Sequence, residues 1–187
     1  MAEHPNFLEQ PLGDVYRFYG AERVIVLDCM DFERGFDDEH PHLGFHPQVL
    51  QRLITQRDGA KLRKFFYQFW EKLVCVPTNV AKRGLALVGY CHGGKHRSNG
   101  IMAILFWCLM CDWQWLANFE VTMLSRQSHS WRKCEIVDAR RKKGERCDLC
   151  LACLDTRRDG PLEGDMRNAF ASYLRCRDTI FKQYHMA

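Results

Sequence analysis

Short apolar runs alternate with helix-period segments along the first two-thirds of the chain. Arg23-Val24-Ile25-Val26-Leu27-Asp28 is apolar from its second residue until an acid closes it, which predicts a buried strand with its polar end at a site. Residues 33–47 are rich in Gly, Pro, Asp and His and read as a long surface loop, of a length often associated with function. Residues 48–55 predict a short helix. A longer helix opens at Asp58-Gly59-Ala60 and runs through Leu73, with Phe65, Phe66, Phe69 and Trp70 along one side as a core-packing stripe. Gly84-Leu85-Ala86-Leu87-Val88-Gly89-Tyr90 predicts a second buried strand. A helix from Arg97 or Ser98 to about Trp115 follows, and its apolar run 101–111 is too short to span a bilayer. Phe119-Glu120-Val121-Thr122-Met123-Leu124 alternates apolar and polar positions and predicts a third strand.

Strand, helix, strand, helix, strand is the order of an α/β domain, a mostly parallel sheet with helices on both faces. The chain therefore reads as a single α/β domain over 1–187. Within it, residues 133–158 form a small basic, cysteine-rich insert in the C-terminal part. After a Gly/Pro break, residues 161–185 predict a final helix that packs back on the sheet.

Composition adds limits. Of the 187 residues, 47% are hydrophobic and 27% charged, values of an ordinary globular chain that argue against large-scale disorder. The net charge of +4 permits contact with phosphates or nucleic acid without the dense basic stripe of a dedicated nucleic-acid binder. Glu3, Glu9, Asp14 and Glu22 interrupt any apolar core of signal-peptide length, so the expectation is a cytoplasmic protein with no membrane partner. Ten cysteines there read as thiols, metal ligands or a nucleophile rather than a disulfide framework.

The densest chemistry lies in Cys91-His92-Gly93-Gly94-Lys95-His96-Arg97-Ser98, between the second strand and its helix. Two glycines let successive N–H groups turn inward into a concave anion nest. The helix that follows adds unpaired N–H groups and a partial positive charge. Arg97 can grip two phosphate oxygens through its planar fork, Lys95 adds a point charge, and Ser98 either caps the helix or donates to the same ligand. His92 and His96 stand equally for ligand contacts or for packing. The expectation is a phosphate-binding loop.

Cys91, Gly94, Arg97 and Ser98 also fall in register with Cys-x-x-Gly-x-x-Arg-Ser, so the loop resembles that of the cysteine-dependent phosphatases. That resemblance implies a Cys91 thiolate attacking phosphorus, Arg97 holding the equatorial oxygens, and an acid for the leaving group, for which Asp31, Asp37 and Asp38 are candidates. Tyr90 stands where those phosphatases usually carry His. A longer match is to the Cys-Thr-Gly-Gly-Lys-His-Arg-Ser loop in the C-terminal domain of the RapZ family, bacterial adapters that sense an amino-sugar phosphate. Leu27-Asp28-Cys29-Met30-Asp31-Phe32 is similar to that family's Asp-x-Arg-Phe element, and Leu53-Ile54-Thr55-Gln56-Arg57-Asp58 to its Leu-Thr-Gly-x-Asp turn. Ser125-Arg126-Gln127-Ser128-His129 sits where the family has an Arg-His-Arg stretch. The resemblance covers about 24–132; Met30 and Gln56 depart from it. It implies a sensor or adapter that binds a phosphosugar-like molecule, with Asp28 and His46 touching the sugar, and RNA as a further partner. The alternative for Asp28 is a cap at its strand end, and for His46 an exposed loop position.

Cys147-x-x-Cys150-x-x-Cys153, with Cys134 upstream, supplies four thiols within twenty residues, enough for a tetrahedral structural zinc; His129 can replace one of them. Arg140-Arg141-Lys142-Lys143 and Arg146 offset the negative charge of such a site, or form a solvated face, or touch RNA. Cys29, Cys75, Cys108, Cys111 and Cys176 read as ordinary core or helix positions.

Overall fold

The computed structural model describes residues 23–33, 47–77, 79, 84–91, 97–112 and 163–184. Their elements are strand β1 (Arg23–Asp28), helices α1 (Pro47–Thr55) and α2 (Ala60–Val74), strand β2 (Leu85–Tyr90), and helices α3 (Arg97–Cys111) and α4 (Glu163–Gln183). The third strand expected at 119–124 and the insert at 133–158 lie outside the described residues.

β1 and β2 pair in parallel, with Arg23 opposite Leu85 and Asp28 opposite Tyr90. Both strands thus end at the same edge, and the segments that leave them, at Cys29 and Cys91, start side by side. Ile25 and Leu27 are buried while Val24 and Val26 are only half-buried, the alternation that a strand's two-residue period imposes. β2 was expected to be buried but is half-buried along its length. Among the described residues it has β1 as its one strand neighbour.

The core is built mainly from helix stripes. On α2, Leu62, Phe65, Phe66, Phe69, Trp70 and Leu73 recur at helical spacing and are all buried, as the sequence predicts. α4 brings Tyr173 into their midst, with ring centroids 5.6 Å from Phe66 and 5.2 Å from Trp70, and Phe181 reaches Trp70 at 5.4 Å. Each such aromatic burial contributes about 1.5–3 kcal/mol. The principal neighbours of α4 are α2, α3 and α1, so the last helix packs on helices where the sheet was expected. Its apolar stripe of Met166, Ala169, Tyr173, Cys176 and Ile180 fits a helical groove better than a pleated surface.

α3 buries Ile101, Ile104, Leu105, Cys108 and Leu109 against β2, α1 and α4. It stops at Cys111, short of the expected Trp115. Asp112, the next residue, is buried, and its carboxylate accepts hydrogen bonds from Tyr173 Oη at 3.2 Å and Arg177 Nη1 at 2.8 Å. This polar group ties the end of α3 to the middle of α4.

Candidate functional site

The edge where β1 and β2 end carries the chemistry. Cys91 leaves β2 buried, and Ser98, in the first turn of α3, is buried beside it. The Ser98 N–H donates to Cys91 Sγ at 3.4 Å, and the Cys91 thiol donates to Ser98 Oγ at 3.3 Å. The two ends of the glycine loop are therefore closed on each other, with the sulfur at the N-terminus of a 15-residue helix. An ionised sulfur there would face a backbone N–H, a hydroxyl able to turn and donate, and the positive end of the helix dipole. His92, Gly93, Gly94, Lys95 and His96 lie outside the described residues.

Arg97 opens α3 and points back across the sheet edge. Its Nη1 donates to the carbonyls of Met30, at 3.1 Å, and Phe32, at 2.9 Å. Phe32 itself is buried in the core, edge-on to Phe65 at 6.3 Å, so the carbonyl that holds Arg97 belongs to an anchored residue. No carboxylate among the described residues pairs with this guanidinium. One corner of the fork is fixed by backbone, and the positive charge stays uncompensated by protein acids in the described part of the site.

The segment from Met30 to Glu33 is held from its other side by the turn between α1 and α2. Gln56 Oε1 accepts from the Glu33 N–H at 3.1 Å, Lys61 lies 3.5 Å from the Glu33 carboxylate, and Lys61 Nζ also donates to the Asp31 carbonyl. Arg57, Asp58 and Gly59 in this turn have φ of 48°, 52° and 74°. Left-handed backbone at two residues with side chains costs about 1–2 kcal/mol each, which the contacts to Glu33 help offset. Sequence reading noticed the turn only through a resemblance and missed Gln56 and Lys61 as supports. Their partners are more than twenty residues away, and no local signal marks them.

Asp28 and Tyr90 stand opposite each other at the strand ends. Burial, then the side chain of Asp28, raises the Tyr90 phenol above its ordinary value. Asp28 Oδ1 accepts from the Met30 N–H at 2.7 Å, so the carboxylate caps the turn that leaves β1 while staying exposed. Asp31 was a candidate acid for a leaving group. Its carboxylate meets Lys64 at 2.5 Å instead, and the hydrogen bond and charge of that lysine hold it below its usual range. An acid so held is ionised at neutral pH, the wrong state for proton donation.

Cys29 is fully buried at the end of β1. Burial, then the neighbouring Cys91 and Asp28, pushes its thiol far up, so it is neutral at physiological pH. Cys108 and Cys176 are likewise buried, whereas Cys75 and Cys111 are exposed. Among the described residues no group of His, Cys, Asp and Glu gathers with the geometry to hold a metal, and no helix is long and apolar enough to cross a membrane. His46, Cys134, Cys147, Cys150 and Cys153 fall outside the described residues.

No family model matches the chain, and neither does a solved structure. A stretch of 60 residues is 37% identical to an uncharacterized protein of Archaeoglobus fulgidus. That match takes in 30% of this chain and only 22% of the length of the relative.

Proposed function

We propose that the chain binds a phosphate-bearing small molecule, phosphosugar-like in size, in the loop 91–98, and that it works as a cytoplasmic sensor or adapter of the RapZ C-terminal type. The observation that carries this reading is Arg97. A guanidinium at the first residue of a helix, fixed through Nη1 by two carbonyls and facing no protein carboxylate among the described residues, is preorganised for an anion. The closure of Cys91 on Ser98 supports it, because it brings the loop's ends together at the helix N-terminus. Asp28 and His46 are the proposed contacts to the sugar. The proposal includes a larger parallel sheet, with a third strand at 119–124 and helices on both faces, and a structural zinc on Cys134, Cys147, Cys150 and Cys153 carried by their spacing alone.

The test is thermal unfolding of the full chain with increasing inorganic phosphate, glucosamine 6-phosphate and, as a control, glucosamine. Ligand that binds only the folded state stabilises it in proportion to the logarithm of its concentration. A rise in Tm with the two phosphates, absent in Arg97→Ala, is expected; no rise with either phosphate sinks the reading. Loss of Tm with a chelator and one zinc per chain by metal analysis are expected for the insert, and a metal-free protein removes the zinc.

A second reading, a cysteine-dependent phosphatase, is favoured by the Ser98–Cys91 contact, since a hydroxyl on the sulfur suits a thiolate nucleophile and leaving group. Of the three candidate acids, Asp31 is engaged by Lys64, and Asp37 and Asp38 lie outside the described residues. Hydrolysis of an aryl phosphate by wild type, lost in Cys91→Ser, would turn the assignment to the enzyme. Steep weakening of RNA binding with salt would instead point to backbone phosphates as the ligand.

A further inference from the structure

The strip of backbone that holds Arg97 is itself held from behind. Arg97 Nη1 carries two hydrogens and meets two carbonyls, those of Met30 at 3.1 Å and Phe32 at 2.9 Å. The Asp31 carbonyl between them goes instead to Lys61 Nζ. One residue on, the Glu33 N–H donates to Gln56 Oε1 at 3.1 Å. The strip 30–33 thus alternates its backbone bonds, Arg97 on one side and the turn between α1 and α2 on the other. Gln56 is fixed in its own place, since its N–H donates to the Arg52 carbonyl at 3.0 Å and its carbonyl accepts from the Gly59 N–H at 3.1 Å. The Lys61 side chain is only 16% exposed, so its bond to the strip is shielded from water, whereas Lys64 and Asp31 are both over 60% exposed.

We infer that Gln56 and Lys61 are positioning residues for Arg97: they lock the strip 30–33, the strip keeps Nη1 on its two carbonyls, and the guanidinium meets an oxyanion through its Nε–H and Nη2 edge. A guanidinium offers two edges for a pair of parallel hydrogen bonds, Nη1 with Nη2 and Nε with Nη2. The first is closed, because Nη1 is committed and the two carbonyl oxygens beside it repel an incoming anion. Among the described residues Nε and Nη2 meet no acceptor, so the second edge is open. An arginine that rotates freely loses that freedom when it grips a ligand; one already fixed does not, and binds more tightly for it.

Lys61 also carries charge, and a cation near a site attracts anions whatever it holds. Its ammonium, however, faces the Glu33 carboxylate at 3.5 Å, so its part here is to hold backbone. Lys72 on the same helix supplies the comparison, because it donates to the Val26 carbonyl at 2.6 Å, inside β1 and outside the strip. The effect on an anion rests on the phosphate-binding reading above; the restraint of Arg97 by the strip does not.

The full-length wild type is compared with Gln56→Met, which keeps the side-chain length and removes the acceptor, with Lys61→Met, and with Lys72→Met as the control for lost charge. Nitrogen NMR of the Arg97 guanidinium, assigned by its disappearance in Arg97→Lys, reads the restraint, and titration with inorganic phosphate reads binding at the same signals. Wild type is expected to show separate Nη1 and Nη2 signals, because two carbonyls on Nη1 hinder its rotation, and phosphate is expected to move Nε–H and Nη2 more than Nη1. Gln56→Met and Lys61→Met are expected to merge the Nη signals and to weaken phosphate severalfold, while Lys72→Met keeps both as in wild type. Signals that stay separate in one variant strike that residue from the role, and in both they overturn the inference. Merged signals in the wild type overturn it without any variant, and equal weakening by Lys72→Met overturns it in favour of charge alone. Phosphate that moves Nη1 most overturns the choice of edge. Phosphate that moves no signal, with the Nη pair separate in wild type and merged in the variants, defeats the phosphate reading and leaves the positioning of Arg97 standing.

Discussion

Arg97 Nη1 donates to the Phe32 carbonyl at 2.9 Å, joining the first residue of α3 to the segment that leaves β1, 65 residues earlier. The same nitrogen holds Met30. One side chain thus fixes the loop after β1 and offers its charge to the loop after β2, and the two tasks separate on substitution. Arg97→Lys keeps the charge but loses the fork. It is expected to lower stability by about 1–3 kcal/mol, the worth of one or two charged hydrogen bonds, and to weaken phosphate stabilisation at least severalfold. Urea unfolding with and without phosphate checks both, and an unchanged phosphate response would show that the fork is not the anion contact.

Asp112 is 3% exposed and shared by Tyr173 and Arg177. Asp112→Ala leaves the largely buried Arg177 guanidinium with Asp178 as its carboxylate at 3.1 Å and the Tyr173 hydroxyl without this acceptor, and is expected to cost about 1–3 kcal/mol. Replacing the whole group, as Asp112→Ala with Arg177→Met and Tyr173→Phe, is expected to recover part of that loss, measured by denaturant midpoint. The phosphate response should stay as in wild type, because this network lies at the far end of α3 from Arg97.

Gly89 has no room for a side chain. A Cβ there would stand 2.3 Å from Met102 Cγ and 2.6 Å from its Sδ. Gly89→Ala is expected to destabilise by about 1–3 kcal/mol through overpacking, and Met102→Ala in the same chain to relieve part of it. A double-mutant cycle between the two reads the coupling; strictly additive effects would show that Met102 simply moves aside.

The Asp31–Lys64 pair makes an acid-side contribution. Its folded-state pKa is depressed below 3.8 by the lysine. Its stabilisation is therefore fully present above the unfolded-state value and disappears as pH falls through the lower folded one. Both side chains are over 60% exposed, so solvent screening keeps the effect to about 0.2–1 kcal/mol. Lys64→Ala should move the Asp31 titration, followed by carbon-detected NMR, up toward its ordinary value, and should flatten the loss of stability below pH 4.

Residues 23–28, 60–74, 85–90 and 163–183 are all readable as elements in the sequence, the strands as short continuous apolar runs and the helices by their longer amphipathic stretches. The aromatic stripe of α2 announced itself as core for the same reason. The anion loop was legible because its chemistry is contiguous, with Cys91, Arg97 and Ser98 inside one short stretch. What could not be read was the use of Asp31. An acid beside a proposed site looks the same in sequence whether it faces a ligand or, as here, a lysine on the next helix.

Local order of the chain, then, determined the elements and the residues of the loop. Tertiary structure alone decided that Cys29 lies beside Cys91, that Arg97 is pinned by Met30 and Phe32, that α4 buries its stripe on helices, and that Asp112 is shared by Tyr173 and Arg177. Each of these relations joins residues about sixty or more positions apart. Strand register and helix crossing set such distances, and neither exists until the whole core has packed.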